Sequence, residues 1–431
     1  MKLLIQNGSI VDPTSDKIEA KDIFIEDGRI VKVGKQLNVS DCKVIDSKKL
    51  MVLPGLVDAH CHLRDPGFEY KEDISSGTRS AAKGGFTSVA CMPNTKPLID
   101  DKTVISYILN KAKEEGVVKV FPIACVTKGQ SGEELTDMGL LKEAGAVGVS
   151  DDGKPVVDAG MMKNALLYAS MFDLPVISHC EDLSLVKEGA MNEGVISARL
   201  GLQGIPSAAE DVMVAREMIL AEYTGKPVHI AHVSTALSIA LIREAKKRGA
   251  PVTAETCPHY FSITEESCDH FNTYGKVNPP LRSEADNKAI IEGLRDGTID
   301  IIATDHAPHH EDDKNRIFQK ADNGMVGFET AFSLALTFLY EPGLMTLQQI
   351  AKKMSTNPAS LLKIDGGAIK EGMPADLIMV DTQTEYVFDR EKLVSKSKNS
   401  PFHGMTLKGS IKHTIVEGEM VVEEGDLVRG A

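Results

Sequence analysis

Between residues 54 and 363, short apolar runs alternate with helical segments, and that alternation restricts the fold more than any other property of the chain. Eight runs stand out, at 55–61, 87–91, 119–125, 146–150, 175–179, 227–232, 251–256 and 300–305. Each is apolar along nearly its whole length, as strands buried on both faces are. Between them lie helical stretches such as "SSGTRSAAKGG", "DVMVAREMILAEYTG" and "STALSIALIREAKKRG". The last opens on Ser and closes on Gly, the usual start and stop signals. Eight such βα units predict an α/β fold, a (β/α)₈ TIM-like barrel over residues 54–363.

The two ends of the chain read differently. "KLLIQNGSIV", "KDIFIEDGRIVKVG" and "KVIDSKKLMVLP" are strand-like at one end, and "ADLIMVD" and "KGSIKHTIVEGEMVVEEGDLV" at the other. The "NG" and "EDG" dipeptide contexts are hairpin signals. A lone hairpin is barely stable in water. Residues 1–53 and 364–431 are therefore expected to pair into one small composite β domain. The length of 431 residues suits a barrel plus such a domain. No internal repeat and no low-complexity tract interrupts the pattern.

The formal net charge of −14, with no long basic run, argues against a nucleic-acid or anionic-membrane partner. No stretch is apolar enough to span a bilayer, and the opening "MKLLIQNGSIVDPTSD" is strand and turn without a signal-peptide core. Cysteine usage points to the cytoplasm. The seven thiols form no compact framework, and Cys61, Cys91, Cys125, Cys180 and Cys257 sit in or beside apolar runs.

A barrel brings the C-terminal ends of its strands to one mouth, so residues far apart in sequence share a site. His60 and His62 close the first run, His179 the fifth, His232 the sixth and Asp305 the eighth. Residues two apart on a strand face the same side, so His60 and His62 offer two nitrogens to one ion. Any one of these histidines alone reads as a structural histidine; their common level at the strand ends does not. His229, earlier in the sixth run, reads as structural. Asp151 and Asp152 end the fourth run, where one carboxylate of the pair is expected to bridge two ions; a plain "DDG" turn competes with that reading. Asp305 competes with a helix N-cap role. The expected division is His60, His62 and Asp305 on one ion, His179 and His232 on the other, and the bridge between them. Nitrogen and carboxylate ligands suit Zn²⁺, with Co²⁺ or Mn²⁺ as substitutes. Such ions make a water acidic enough to attack near neutral pH.

Two dications, two ligand carboxylates and one hydroxide sum to about +1. Arg64 adds a charge, and a protonated His309 would add another. This mouth predicts a small anionic substrate, with Arg64 gripping a carboxylate by both arms of its guanidinium.

Two segments, "DAHCHLRDPG" (58–67) and "ATDHAPHHEDDK" (303–314), closely resemble the signature regions of the dihydroorotase family within the amidohydrolase superfamily. "MPNT", "ETCPHY" and "VNPPLR" resemble its barrel loops, and the likeness covers nearly the whole chain. The resemblance implies the reversible, zinc-dependent cyclisation of N-carbamoyl-L-aspartate to L-dihydroorotate in pyrimidine synthesis. It implies one or two zinc ions, with two favoured. It assigns Arg64, Asn94 and His309 to the substrate carboxylate, Asn278 to the ring, Asp305 to the proton, and residues 308–324 to a mobile loop over the site. Many relatives bridge their ions with a carboxylated lysine. Here the fourth run ends "GVSDDG", which is similar to a bacterial branch that bridges with the second Asp, so the resemblance selects Asp152 and disfavours a carbamate on Lys154. Cys61 stands where an aliphatic residue is usual, and Cys180 is an alternative ligand to weigh. A homodimer and association with aspartate carbamoyltransferase are both compatible with the likeness. The rival readings are a hydantoinase or allantoinase, and a non-catalytic scaffold that has lost its ligands. Arg64, Asn94 and the missing strand-four lysine speak against the first, and the complete ligand set speaks against the second.

Overall fold

A computed structural model of the chain describes residues 2–15 and 17–430. Eight parallel strands form the central sheet: Leu56–Cys61, Phe86–Cys91, Lys119–Ala124, Gly148–Ser150, Val176–Ser178, Val228–Ile230, Val252–Thr256 and Ile301–Ile302. The eighth closes on the first through backbone bonds just beyond their ends. Asp305 N donates to His60 O (3.0 Å) and His62 N to His306 O (2.8 Å). The barrel interior is filled by small and branched side chains, among them Val57, Ala59, Ala90, Ile123, Ile177 and Ala303. It is a packed core, not a pore.

Several strands are shorter than the apolar runs that announce them. The fifth stops at Ser178 and the sixth at Ile230, so His179 and His232 lie just past the ladder. Asp305 lies three residues past the eighth strand. At these points the chain leaves extended geometry: His232 has φ 33°, Asp305 φ 46° and Arg64 φ 61°. Left-handed backbone at a non-glycine residue costs on the order of 1–3 kcal/mol and persists where the surroundings impose it. Here it turns side chains into the mouth.

The helix after the sixth strand, Ala236–Lys247, is capped by Thr235, whose side chain accepts from Ser238 N. Ser234, the expected start, is held instead by the buried carboxylate of Glu210. Gly249 follows the helix end at φ 86°, as the stop signal predicts.

Both chain ends build one nine-stranded sheet. Its junction is the antiparallel pair Met51–Pro54 with Leu377–Val387, in which Leu53 faces Ile378. This sheet has its own core, including Leu3, Ile5, Ile23, Val52, Leu377 and Ile415. "EDG" forms the hairpin between Ile18–Glu26 and Arg29–Gly34. "NG" does not form a turn. Lys2–Val11 runs straight through it as one strand, with a register shift between Ile5 and Gly8. Asn7 takes up the extra residue at φ 60° and donates its N–H to Asp22 Oδ1 (3.0 Å). A bulge satisfies the same left-handed preference as a hairpin turn. No helix among the described residues is long and apolar enough to cross a membrane.

Candidate active site

The mouth of the barrel gathers the ligand-type side chains around Asp152. Its Oδ1 lies 3.4 Å from His60 Nε2, 3.5 Å from His232 Nε2 and 3.7 Å from His179 Nδ1. Its other oxygen is 3.6 Å from His62 Nε2. Asp305 Oδ1 lies 3.1 Å from His62 Nε2 and 3.7 Å from His60 Nε2. His179 Nδ1 and His232 Nε2 are 2.8 Å apart. All six side chains predicted as ligands thus meet in one cluster, and all are buried.

Of the two strand-four aspartates, Asp151 faces away. Its carboxylate accepts from Val126 N (2.8 Å), Thr127 N (3.1 Å) and the Thr127 hydroxyl, so it ties strand three to strand four. Lys154 is exposed in the turn that follows. Cys61 donates its thiol to Ala90 O (3.2 Å), away from the histidines. Cys180 also turns out of the cluster. Its Sγ lies 3.6 Å from Ser178 Oγ, and it belongs to none of the ligand groups among the described residues.

Behind the cluster stand two carboxylates that sequence reasoning did not single out. Glu255, on the seventh strand and wholly buried, bonds His60 Nδ1 (2.6 Å) and His229 Nε2 (3.1 Å). His229 Nδ1 completes the chain at Thr253 Oγ1 (2.8 Å). Glu181 bonds His179 Nε2 at 3.1 Å. Each carboxylate occupies one ring nitrogen of a histidine and leaves the other directed at the centre, the arrangement that fixes a ligand's tautomer and raises its basicity. Asn94 does this for His62. Its Oδ1 lies 2.9 Å from His62 Nδ1, and its Nδ2 reaches Asp152. A Glu inside a barrel strand expected to be buried on both faces, as in "VTAET", was the available signal, because a buried carboxylate requires a partner.

The electrostatics favour a cation at the centre. Burial alone would lower the pKa of His60, yet Asp152 and Glu255 outweigh it and raise that imidazole well above its ordinary value. His179 moves the same way: burial opposes, and the Glu181 carboxylate prevails. Burial would raise Asp152 and Asp305, but the facing imidazoles hold both below the usual carboxylate range. His60 Nε2 is buried with no hydrogen-bond partner among the described residues. An orphaned imidazole nitrogen aimed at two carboxylates is what a metal ligand leaves when only protein is counted. Two overlapping ligand groups follow, His60–His62–Asp305 and His60–Asp152–His232. The donor set fits transition-metal ions.

Above the cluster lies a cavity of about 450 Å³, lined by Arg64, Asn94, Asn278, Asp305, His309 and residues 319–324. Arg64 Nε donates to Pro308 O (3.1 Å), and an Arg64 NH2 nitrogen lies 3.2 Å from His309 Nε2. The segment expected as a loop contains a short helix, Glu311–Lys314, and is tied down by two buried lysines. Lys314 Nζ donates to Asp322 O (2.8 Å), Gly324 O (3.0 Å) and Lys276 O (3.2 Å). Lys276 Nζ donates to Ala321 O (2.7 Å). Burial, reinforced by Arg64 and Lys71 and opposed by the Asp322 carboxylate 3.1 Å from Nδ1, pushes His309 down to about 3, which favours a neutral ring over the protonated one weighed from the sequence.

Two solved structures share this architecture over 99% of the chain. An L-hydantoinase (dihydropyrimidinase) from Arthrobacter aurescens superposes with a TM-score of 0.90 over 97% of its own length at 26% identity. A D-hydantoinase superposes with a TM-score of 0.87 over 96% of its length, also at 26% identity. Barrel, composite sheet and polar mouth together define a metal-dependent amidohydrolase. Residues 49–238 match a family model described as dihydro-orotase-like. Curated relatives named dihydroorotase are 60% identical in Acetivibrio thermocellus and 58% identical in Ruminiclostridium cellulolyticum, each over 98% of this chain and 99% of the relative. The chain belongs to the dihydroorotase family.

Proposed function

We propose that this mouth carries out the reversible cyclisation of N-carbamoyl-L-aspartate to L-dihydroorotate, with zinc bound and two ions favoured over one. His60, His62 and Asp305 would hold one ion and His179 and His232 the other, with Asp152 between them. Bound zinc would supply Lewis acidity, polarising a carbonyl and lowering the pKa of a water toward neutrality. The observation that carries the reading is His60 Nε2, buried without a hydrogen bond among the described residues and facing the carboxylates of Asp152 and Asp305.

The chain's own residues do the rest. Arg64, Asn94 and His309 bind the substrate carboxylate, with Arg64 as the charged partner and His309 as a neutral one. Asn94 does so from beside His62, where its amide already serves a ligand. Asn278 contacts the ring. Asp305 is ionised at neutral pH, because the imidazoles around it hold it low against burial. In hydrolysis it takes the proton of the attacking water and hands it to the departing ring nitrogen; in cyclisation it reverses both transfers. Closing the ring consumes a proton, so acidic pH favours the ring and alkaline pH the open chain. The segment 308–324 excludes water from above.

We divide the chain into a composite β unit, residues 1–53 and 364–431, and a catalytic barrel, residues 54–363. We place the enzyme in the cytoplasm, a reading supported by seven free thiols. Homodimerisation and docking to aspartate carbamoyltransferase belong to the same proposal and are checked by light scattering with and without the transferase. The hydantoinase alternative rests on fold alone and lacks a reason for Arg64. The deciding experiment incubates metal-quantified protein with L-dihydroorotate, hydantoin and allantoin in parallel. Rapid, preferential turnover of L-dihydroorotate is expected; preference for either other ring overturns the proposal.

A further inference from the structure

The segment "TCPHY" at the end of the seventh barrel strand contains chemistry that the proposed reaction does not use. Cys257 caps the short helix Pro258–Ser262, and His259 stands in its first turn. The Cys257 Sγ, one ring nitrogen of His259 and one oxygen of Asp305 all lie within 4.8 Å of one another. Cys257 is fully buried and His259 is 3% exposed. His259 Nε2 has no hydrogen-bond partner among the described residues, an expensive condition for a buried nitrogen.

We propose that Cys257 and His259, with an oxygen of Asp305, form an inhibitory site for thiophilic dications that adjoins the ligand set around Asp152 and shares Asp305 with it. The thiol gives up its proton to solvent as the metal–sulfur bond forms, and no electron changes hands. A thiolate in the set selects soft ions over Mg²⁺ or Ca²⁺. Ligand atoms around a tetrahedral ion stand about 3.5 Å apart, so the three groups close on it with shifts on the order of an ångström. Inhibition follows because the ion captures a carboxylate oxygen of Asp305, and this step rests on Asp305 being the proton carrier. Thiophilic metal would then stop turnover without displacing the ions already bound.

The test titrates metal-quantified holoenzyme with Cd²⁺ and follows three readouts: the ultraviolet thiolate-to-cadmium charge-transfer band, bound Cd²⁺ and retained metal by elemental analysis, and turnover. Wild type is expected to gain one equivalent with the band and to lose turnover about tenfold or more. Cys257→Ser should turn over normally without Cd²⁺ and lose the band, the extra equivalent and the inhibition together. His259→Gln, a second variant that leaves the thiol in place, should weaken cadmium binding at least about tenfold. Cys42→Ser, removing the only thiol that is not buried, should behave as wild type. Absence of the band in wild type, or its persistence in Cys257→Ser, overturns the site. A band that forms while turnover is unchanged overturns its inhibitory role and counts against Asp305 as proton carrier. Failure of the protein to act on L-dihydroorotate leaves the band and stoichiometry as independent readouts of the site.

Discussion

Glu255→Gln tests the most consequential contact behind the candidate metal centre. The carboxylate bonds His60 Nδ1 at 2.6 Å and His229 Nε2 at 3.1 Å with no exposure to solvent. Burial would raise its pKa, but His60 and His229 hold it well below the usual range, so it is ionised. The amide keeps the shape and loses the charge. Its oxygen can still accept from His60, while its NH₂ must face His229, which then has to present a lone pair. One charge-assisted bond, worth about 1.5–3 kcal/mol, becomes a neutral one of about 0.5–1.5 kcal/mol. The difference of about 1–2 kcal/mol makes His60 a poorer electron donor, a loss of about 5–30-fold in metal affinity. That overlaps the lower part of the usual range for the partner of a ligand histidine, about 10–100-fold. Chelator competition on the folded protein, with metal measured by elemental analysis, reads this without reference to turnover. A variant whose affinity stays within about twofold of wild type would refute the claim that Glu255 tunes His60.

Other consequences follow from the same geometry. Asp305→Asn should fold yet lose about 10²–10⁴-fold in turnover, measured under saturating L-dihydroorotate; near-normal turnover removes it as proton carrier. Arg64→Ala should chiefly raise KM, and steady-state kinetics with unchanged KM would strike it from the carboxylate contacts. His309, held at about 3, carries no proton between pH 5 and 9, so KM should show no titration from it there. A KM that falls on acidification through pH 6 in wild type and not in His309→Asn would contradict this. Lys314→Met removes three hydrogen bonds that pin the segment over the site, to Asp322 O, Gly324 O and Lys276 O, although Gly324 O keeps Asn399 Nδ2 and Lys276 O keeps the Gly324 amide; the loss is about 2–4 kcal/mol. Limited proteolysis should then cut within residues 308–324 faster than in wild type, and equal protection would show that the lysine does not hold the segment.

The barrel was legible because strands buried on both faces leave apolar runs and the chain has eight of them. His60, His62, His179, His232 and Asp305 were legible as candidates because each stands where such a run gives out. The runs overstated the strands, however: apolar burial continues past the last ladder bond, and the chain bends at His232 and Asp305 through left-handed backbone that no periodicity signals. Asp151 and Asp152 are chemically identical in sequence, and only the amides of Val126 and Thr127 separate them. Glu255 looked like an ordinary acid because its partners, His60 and His229, come from other strands, whereas Glu181 has its partner His179 only two residues away. The state of His309 depended on burial and on two cations, Arg64 and Lys71, more than 230 residues away in sequence. At "NG" the hairpin reading failed: Asn7 is left-handed, as such a turn requires, but the continuing ladder with Ile18–Glu26 made the dipeptide a bulge within one strand.

The seam between Met51–Pro54 and Leu377–Val387 also imposes an order of events on synthesis. During elongation, Met51–Pro54 emerges more than 300 residues before the strand that covers its free edge. Over that interval its amides and carbonyls remain open to any passing strand, so the nascent chain carries an adhesive edge until translation is nearly finished. Fragments that stop short of residue 377 keep that edge permanently, and aggregation rather than partial folding is the fate expected of them.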